Sequence, residues 1–194
     1  MRIGPLALAV MGLLQEQPRH PYDIAYTMQA RHLDAHIKLN LGSLYHAVAQ
    51  LERHGMIQPT ETLREGRRPE RTVYAVTPEG RDCFLRHLRQ LIAEPAPEYS
   101  QLEAGLSFLY ELGPEEAAQL LLRRASALRE QADLVDYSLE RHYERGLTRL
   151  VLIEVELAQA ERRFQADWVE GIAREIESGT LAWSRPDVVQ EIHA

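Results

Sequence analysis

The sequence is short of several things. It has one cysteine, Cys83, in 194 residues, so neither an intrachain disulfide framework nor a cysteine-based zinc site can be built from it. Aromatic residues make up only 7%, and any core must lean on Leu, Ala, Val and Ile. Glycine and proline number 11 and 10, which leaves most of the chain free to be regular structure. The apolar run from Ile3 to Leu14 is shorter than the roughly 20 residues that span a bilayer. Gln15-Glu16-Gln17-Pro18 after it offer no small-residue cleavage site. We read that run as a buried helix, and expect a cytoplasmic protein with no membrane contact. G-x-S-x-G, P-loop, H-E-x-x-H and G-x-G-x-x-G motifs are also missing, so the expectation is no enzyme and no cofactor. His32 and His36 stand four apart with Asp34 between them, a zinc-like spacing if helical, but no third ligand is in register, and no metal is expected.

Lysine is scarce too: Lys38 is the only one. The net charge is −7, which makes the whole chain a poor bulk binder of polyanions. The charge is unevenly placed. Residues 1–80 hold nine basic and eight acidic residues and five of the eight histidines. Residues 81–194 hold 13 basic and 21 acidic ones. An N-terminal module freed of the acidity can still bind DNA.

What is present falls into two parts. Pro5 suits a helix first turn, and Leu6, Val10, Leu13 and Leu14 share one face until Pro18 and Pro21 end the run. A second helix is expected from about Tyr22 to His32, with Ile24, Ala25 and Met28 inward. A third is expected from about Leu41 to His54, with Asn40 as N-cap, Leu41, Leu44, Val48 and Leu51 as its buried stripe, and Gly55 as its stop. The texture then changes. Met56 to Thr62 partly alternates, and Thr72-Val73-Tyr74-Ala75-Val76 is β-branched and aromatic, which favours strands. Between them, Leu63 to Arg71 is polar and basic, so the pair reads as a hairpin with a long basic loop. Thr77 caps a further helix, with Pro78 in its first turn.

Three helices followed by a hairpin are the layout of a winged helix-turn-helix. Its third helix fits a major groove about 12 Å wide, and its hairpin reaches neighbouring phosphates. The residues expected at DNA are Lys38, Asn40, Ser43, Tyr45, His46 and Gln50 on and before the third helix, and Arg64, Arg67, Arg68 and Arg71 on the wing. Arg2 can add a backbone contact, and Gly66 lets the wing loop turn sharply.

The stretch from Leu41 through Tyr45, Leu51 and Gly55 to Ile57 resembles the recognition-helix signature of PadR-type transcriptional regulators. The resemblance continues through Arg71-Thr72-Val73-Tyr74-Ala75-Val76-Thr77-Pro78-Glu79-Gly80-Arg81. Upstream, Leu13-Leu14 and His20-Pro21-Tyr22-Asp23-Ile24 match the usual opening. It covers residues 1 to about 90 closely. It implies a homodimeric winged-helix regulator of double-stranded DNA, usually a repressor, often relieved by a small molecule. Residues 98–180 resemble the longer, helical C-terminal domain of the virulence-activator-like branch.

The fold expected is therefore mostly α. A winged helix with its following helix takes residues 1–93, a helical dimerisation and effector domain takes 98–178, and a tail takes 179–194. Glu94-Pro95-Ala96-Pro97 marks the boundary. A short helix is expected near Gln101 to Glu111. Then Ala118, Leu121, Ala125, Leu128, Ala132, Val135 and Leu139 recur at heptad spacing. A last helix is expected from about Leu147 to Glu177. Its main stripe is Leu150, Ile153, Leu157, Ala160, Phe164, Trp168, Ile172 and Ile176, and Leu147, Val151, Val155 and Ala158 form a second face. Two such arms make an antiparallel hairpin joined near Arg145-Gly146. A lone hairpin leaves apolar surface in water, which argues for a two-fold dimer through Leu121, Ala125, Leu128, Val135, Leu139, Leu157 and Phe164. That dimer would space two recognition helices near one turn of DNA, about 34 Å. Phe164 and Trp168 are the candidates to face an effector, with plain core as their simpler role. The competing readings are a winged helix used only for protein contacts, and a ligand-binding or enzymatic dimer with a vestigial wing.

Overall fold

The computed structural model describes residues 3–63 and 71–184, with no side-chain description for residues 61–63 and 71. Among the described residues the chain is mostly helical, with a two-stranded antiparallel sheet. It forms two compact units that divide between Pro97 and Glu98.

In the N-terminal unit, α1 (Pro5–Glu16) opens on proline and stops ahead of Pro18. The residue before a proline is pushed out of the helical region, and Gln17 is extended. The second helix, α2 (Pro21–Ala30), ends two residues earlier than its sequence suggests. His32 takes φ +55°, in the left-handed region, and starts a 3-10 turn over Leu33–Ala35. The helical spacing that would align His32 with His36 is therefore broken. Among the described residues no group of three His, Cys, Asp or Glu side chains could hold a metal ion.

The third helix, α3 (Leu41–Arg53), is capped at both ends by its own sequence. Asn40 Oδ1 accepts from the Ser43 N–H at 2.7 Å. Gly55, at φ +70°, closes the other end. Its N–H reaches Glu52 O at 2.9 Å, and Met56 N–H reaches Leu51 O at 2.8 Å, the paired bonds of a Schellman stop. Leu44, Val48 and Leu51 are buried against Val10, Met11, Leu14, Ile24 and Met28. Leu41 is not part of that stripe: it is 52% exposed. It sits in the first turn, beyond the edge of the core, and Leu39 packs there instead.

The wing is β1 (Ile57–Leu63) paired with β2 (Arg71–Val76), in register from Ile57↔Val76 to Leu63↔Arg71, with an irregularity between Pro59 and Glu61. Pro59 lies on the edge strand, where its missing N–H is harmless. On the other side, Tyr74 of β2 exchanges two backbone hydrogen bonds of 3.0 Å with Arg19. The wing is thereby tied to the α1–α2 connection.

After the wing comes α4 (Pro78–Ala93). Its cap, Thr77, is buried; it accepts from Gly80 N–H at 3.0 Å and lies 2.7 Å from Gly55 O, to which it donates. Gly80 passes so close to the start of the wing that a Cβ there would stand 1.9 Å from Met56 O. Phe84 of α4 then packs on α1 over Gly12.

The C-terminal unit opens with α5 (Gln101–Leu106) and a 3-10 turn at Leu109–Glu111, where a single helix is expected from the sequence. Ser107 interrupts it, its hydroxyl bonding back to Glu103 O at 2.9 Å, the usual competition of serine with helical bonding. Two long antiparallel helices follow, α6 (Pro114–Glu144) and α7 (Ile153–Glu177). Gly146, at φ +84°, ends α6, and Leu147 N–H bonds His142 O at 3.1 Å. The last helix starts at Ile153 rather than Leu147, because Arg149–Val151 form a 3-10 turn. Tyr143 donates to Glu156 at 2.7 Å and Arg149 to Glu156 at 2.9 Å, which ties this turn to both helices.

The hairpin uses its apolar faces differently from the sequence expectation. Ala118, Leu121, Ala125 and Ala132 are buried on α6, and Ala166, Val169, Ala173 and Ile176 on α7. Leu128, Val135 and Leu139 are half-buried. The heptad seam thus packs within its own chain, and Leu121 and Ala125 are not open to a second copy. The expected main stripe of α7 is largely exposed: Leu157 is 61% and Phe164 71% exposed, with Leu150, Ile153 and Trp168 also outward. The reason is size. Alanines on α6 leave room along the middle of the hairpin for the small Ala166, Val169 and Ala173 of α7, and the main stripe turns inward only at its C-terminal end, at Ile172 and Ile176. One polar residue sits in the seam. Gln159 is buried; its amide donates to Ala132 O and Asp136 Oδ1, both at 2.8 Å, and its oxygen accepts from Arg162 at 2.6 Å. A satisfied buried amide of this kind sets helix register. Residues 179–184 do not run off as a tail: Trp183 packs on this core and donates to Leu112 O at 3.1 Å.

Candidate nucleic-acid interface

The outward side of α3 is positioned by what its inward side buries. With Leu44, Val48 and Leu51 in the core, Ser43, Tyr45, His46 and Arg53 are exposed. Gln50 and Ala47 are half-buried and line a groove of about 380 Å³ with Ser43, His46 and the start of α1 from Gly4 to Ala7. Asn40 is exposed, but its side-chain oxygen is committed to the cap, which leaves only its amide N–H groups to meet a ligand. Lys38 is exposed just before it.

The cations of this unit divide into two kinds. Arg31 and Arg19 both pair with Glu16. Arg19 reaches Glu16 at 2.8 Å and Thr27 Oγ1 at 3.1 Å. Hydrogen bonding from Arg31 first, then the charges of both arginines, hold the Glu16 carboxyl below its ordinary range. These two arginines lock α1 to α2 and are spent on that. Lys38 and Arg53, at either end of α3, make no ion pair among the described residues. At the base of the wing, Tyr74 donates to Glu52 at 3.3 Å. Burial, and then the Glu52 charge, push its phenol above the ordinary value, so it stays a donor.

The structure therefore brings Lys38, Asn40, Ser43, Tyr45 and His46 to the exposed side of one helix and its entry, with Gln50 recessed beside them. Arg64, Arg67 and Arg68, with Arg2 and Gly66, lie outside the described residues. Arg71 is placed as the first residue of β2, without its side chain. Phe164 and Trp168 belong to the exposed side of α7, whereas Trp183 is part of the core, so these three aromatics do not share one environment.

Two residues went unread in the sequence. Tyr22 and Tyr26 of α2 are 58% and 67% exposed. With Gln29, Leu39, Asn40 and Leu41 they line a half-open cavity of about 180 Å³ beside the start of α3. Their signal was in the period: with Ile24, Ala25 and Met28 inward, positions 22, 26 and 29 must face out.

Comparison with known proteins adds to this geometry. Residues 10–86 match the model of the transcriptional regulator PadR-like family. No curated protein matches the chain. Among solved structures the chain is similar to Bacillus subtilis PadR in complex with operator DNA, at 21% identity, 88% of this chain, 98% of that one and a TM-score of 0.71. It is similar to a PadR-like transcriptional regulator from Bacillus cereus, at 19% identity, 89% and 98% coverage and a TM-score of 0.61. It is also similar to Bacillus subtilis PadR in complex with p-coumaric acid, at 18% identity, 91% and 99% coverage and a TM-score of 0.67. At these identities the likeness is one of fold. Among the described residues no helix is long and apolar enough to cross a membrane.

Proposed function

We infer that this chain, which carries a PadR-like transcriptional regulator domain over residues 10–86, is a homodimeric, sequence-specific DNA-binding regulator that acts as a repressor. One observation carries the reading. A helix buries Leu44, Val48 and Leu51, leaves Ser43, Tyr45 and His46 exposed on its other side, has flanking cations Lys38 and Arg53 that make no ion pair among the described residues, and precedes a two-stranded wing. Such a helix suits a major groove, and such a wing suits the neighbouring backbone. The operator-bound relative supports the same assignment.

In this reading Ser43, His46 and Gln50 meet base edges or phosphates. Tyr45, Lys38 and the Asn40 amide hold the backbone on the helix side. Arg64, Arg67, Arg68 and Arg71 neutralise phosphates along the wing. The second copy docks on the exposed side of α7, through Leu157, Phe164 and Trp168. A small molecule relieves repression, a role suggested by the relative bound to p-coumaric acid; no residue of this chain is assigned to it.

The test is fluorescence anisotropy on DNA from upstream of the protein's own gene, against scrambled DNA, over a salt series. The expected result is selective binding that weakens steeply with salt. Arg67→Ala combined with Arg68→Ala is expected to weaken binding to both DNAs. It should also make the log–log salt slope shallower by about two units for each wing on the duplex, since each phosphate contact contributes about 0.9. An unchanged slope would place the wing off the phosphates. Weak binding indifferent to sequence and salt would favour a winged helix that contacts proteins.

A further inference from the structure

We propose that Tyr22 and Tyr26 form a second, uncharged part of the DNA interface, donating their hydroxyls to the phosphate backbone beside the groove that α3 enters. The proposal rests on the DNA-binding reading above and adds to it a helix that reading leaves unused.

The two side chains are four residues apart and share one face of α2. Both rings are more than half exposed. That is unusual for two large side chains on a helix whose other face is fully buried at Ile24 and Met28. Tyr74 and Tyr143 spend their hydroxyls internally, on Glu52 and Glu156, whereas Tyr45, Tyr99 and Tyr110 make no hydroxyl bond among the described residues; what sets Tyr22 and Tyr26 apart is that they share one helix face and one cavity. Among the described residues Tyr22 and Tyr26 make no such bond.

Their surroundings select the occupant. The cavity they line is bounded by Ala25, Gln29, Leu39, Asn40 and Leu41, so no acidic side chain lines it and an anion meets no repulsion there. Asp23, the acid of α2, is not in the lining. Lys38 stands two residues before Asn40 and is exposed. The cavity adjoins the entry of α3, where Asn40, one of the residues given to DNA, and Leu41 line it. In a helix-turn-helix the first helix crosses the backbone, and tyrosine hydroxyls are among the common donors to phosphate. The rings and Leu41 supply flat apolar surface for the deoxyribose on either side.

Neutral donors have a distinctive signature. They add affinity without displacing counterions, so removing them changes the binding constant and leaves its salt dependence alone. The experiment uses the full-length protein, and a duplex enriched by it from a random-sequence library, with a scrambled duplex beside it. Tyr22→Phe and Tyr26→Phe keep the rings and delete only the hydroxyls. For each half-site, each is expected to weaken binding about five-fold, and the pair about twenty-fold, as for one and two neutral hydrogen bonds. The salt slope and the melting temperature should not move. Tyr99→Phe, whose ring is exposed outside this unit, should bind as the wild type does. Replacing the contacted phosphate by a methylphosphonate should abolish the difference between wild type and the double variant. Double-variant affinity within two-fold of wild type, or a changed salt slope, overturns the proposal while DNA binding stands. Wild-type protein that enriches no sequence overturns the DNA-binding reading and this proposal with it.

Discussion

Replacing Gly80 by alanine is expected to cost the N-terminal unit much of its stability. The methyl group would stand 1.9 Å from Met56 O and 2.8 Å from the Met56 carbonyl carbon. Both are backbone atoms at the foot of the wing, so no side-chain rotation relieves the clash. Either α4 moves off β1 or the wing moves off α3. The Thr77 hydroxyl bridges the same two segments, through Gly80 N–H on one side and Gly55 O on the other, and any such shift breaks it too. Overpacking of this kind costs about 3 kcal/mol, against a total of roughly 5–15 kcal/mol for a small domain. The melting temperature should fall by about 12–24 °C at 4–8 °C per kcal/mol. Gly42→Ala is the matched comparison. It also lies in the first turn of a helix, but its added Cβ meets only Asn40 Oδ1 at 3.6 Å, an ordinary contact. That variant should melt within a few degrees of wild type. Thermal denaturation followed by circular dichroism checks both, and a Gly80→Ala protein as stable as Gly42→Ala would mean that α4 does not approach the wing this closely.

The second large effect concerns assembly. Leu157→Asp combined with Phe164→Asp is expected to turn dimers into monomers without unfolding the hairpin. Both side chains are exposed on the outer face of α7, so a carboxylate there stays hydrated in the single chain. It becomes buried and unpaired only when a second copy docks, at a cost of several kcal/mol. Ala125→Asp should behave in the opposite order. Ala125 is buried between α6 and α7, so a charge there melts the hairpin itself. Sedimentation velocity separates monomer from dimer, and helical circular dichroism reports the hairpin. The monomeric variant should also bind DNA on one half-site only, and lose roughly 100-fold or more in affinity. A Leu157→Asp, Phe164→Asp protein that still sediments as a dimer would remove α7's outer face from the interface.

These two expectations mark the division between what was legible in the sequence and what was not. Signals that act within a few residues were legible. Asn40 capping Ser43, Thr77 capping Gly80, and the positive-φ stops at Gly55 and Gly146 each depend on local backbone chemistry. So did the period that sends Leu44, Val48 and Leu51 inward and Ser43 and His46 outward. Together they determined three helices, a wing, a capped α4 and two long antiparallel helices. The PadR-like character of residues 10–86 follows from the same local pattern.

Tertiary packing decided the rest, because it chooses among faces that look equally apolar in one dimension. Two stripes run along α7, and hydrophobicity favours the one with Phe164 and Trp168. Opposite the alanines of α6 sit Ala166, Val169 and Ala173, which sends Leu157, Phe164 and Trp168 outward, while Ile172 and Ile176 of the larger stripe still reach the core. Leu41 follows the helical period yet lies past the edge of the core. Gly80 reads as an ordinary glycine in a helix, until Met56 O is found where its Cβ would be. Caps and periods are properties of a segment and its own backbone; burial and close approach are properties of two segments at once, and only the folded chain brings the second one into place.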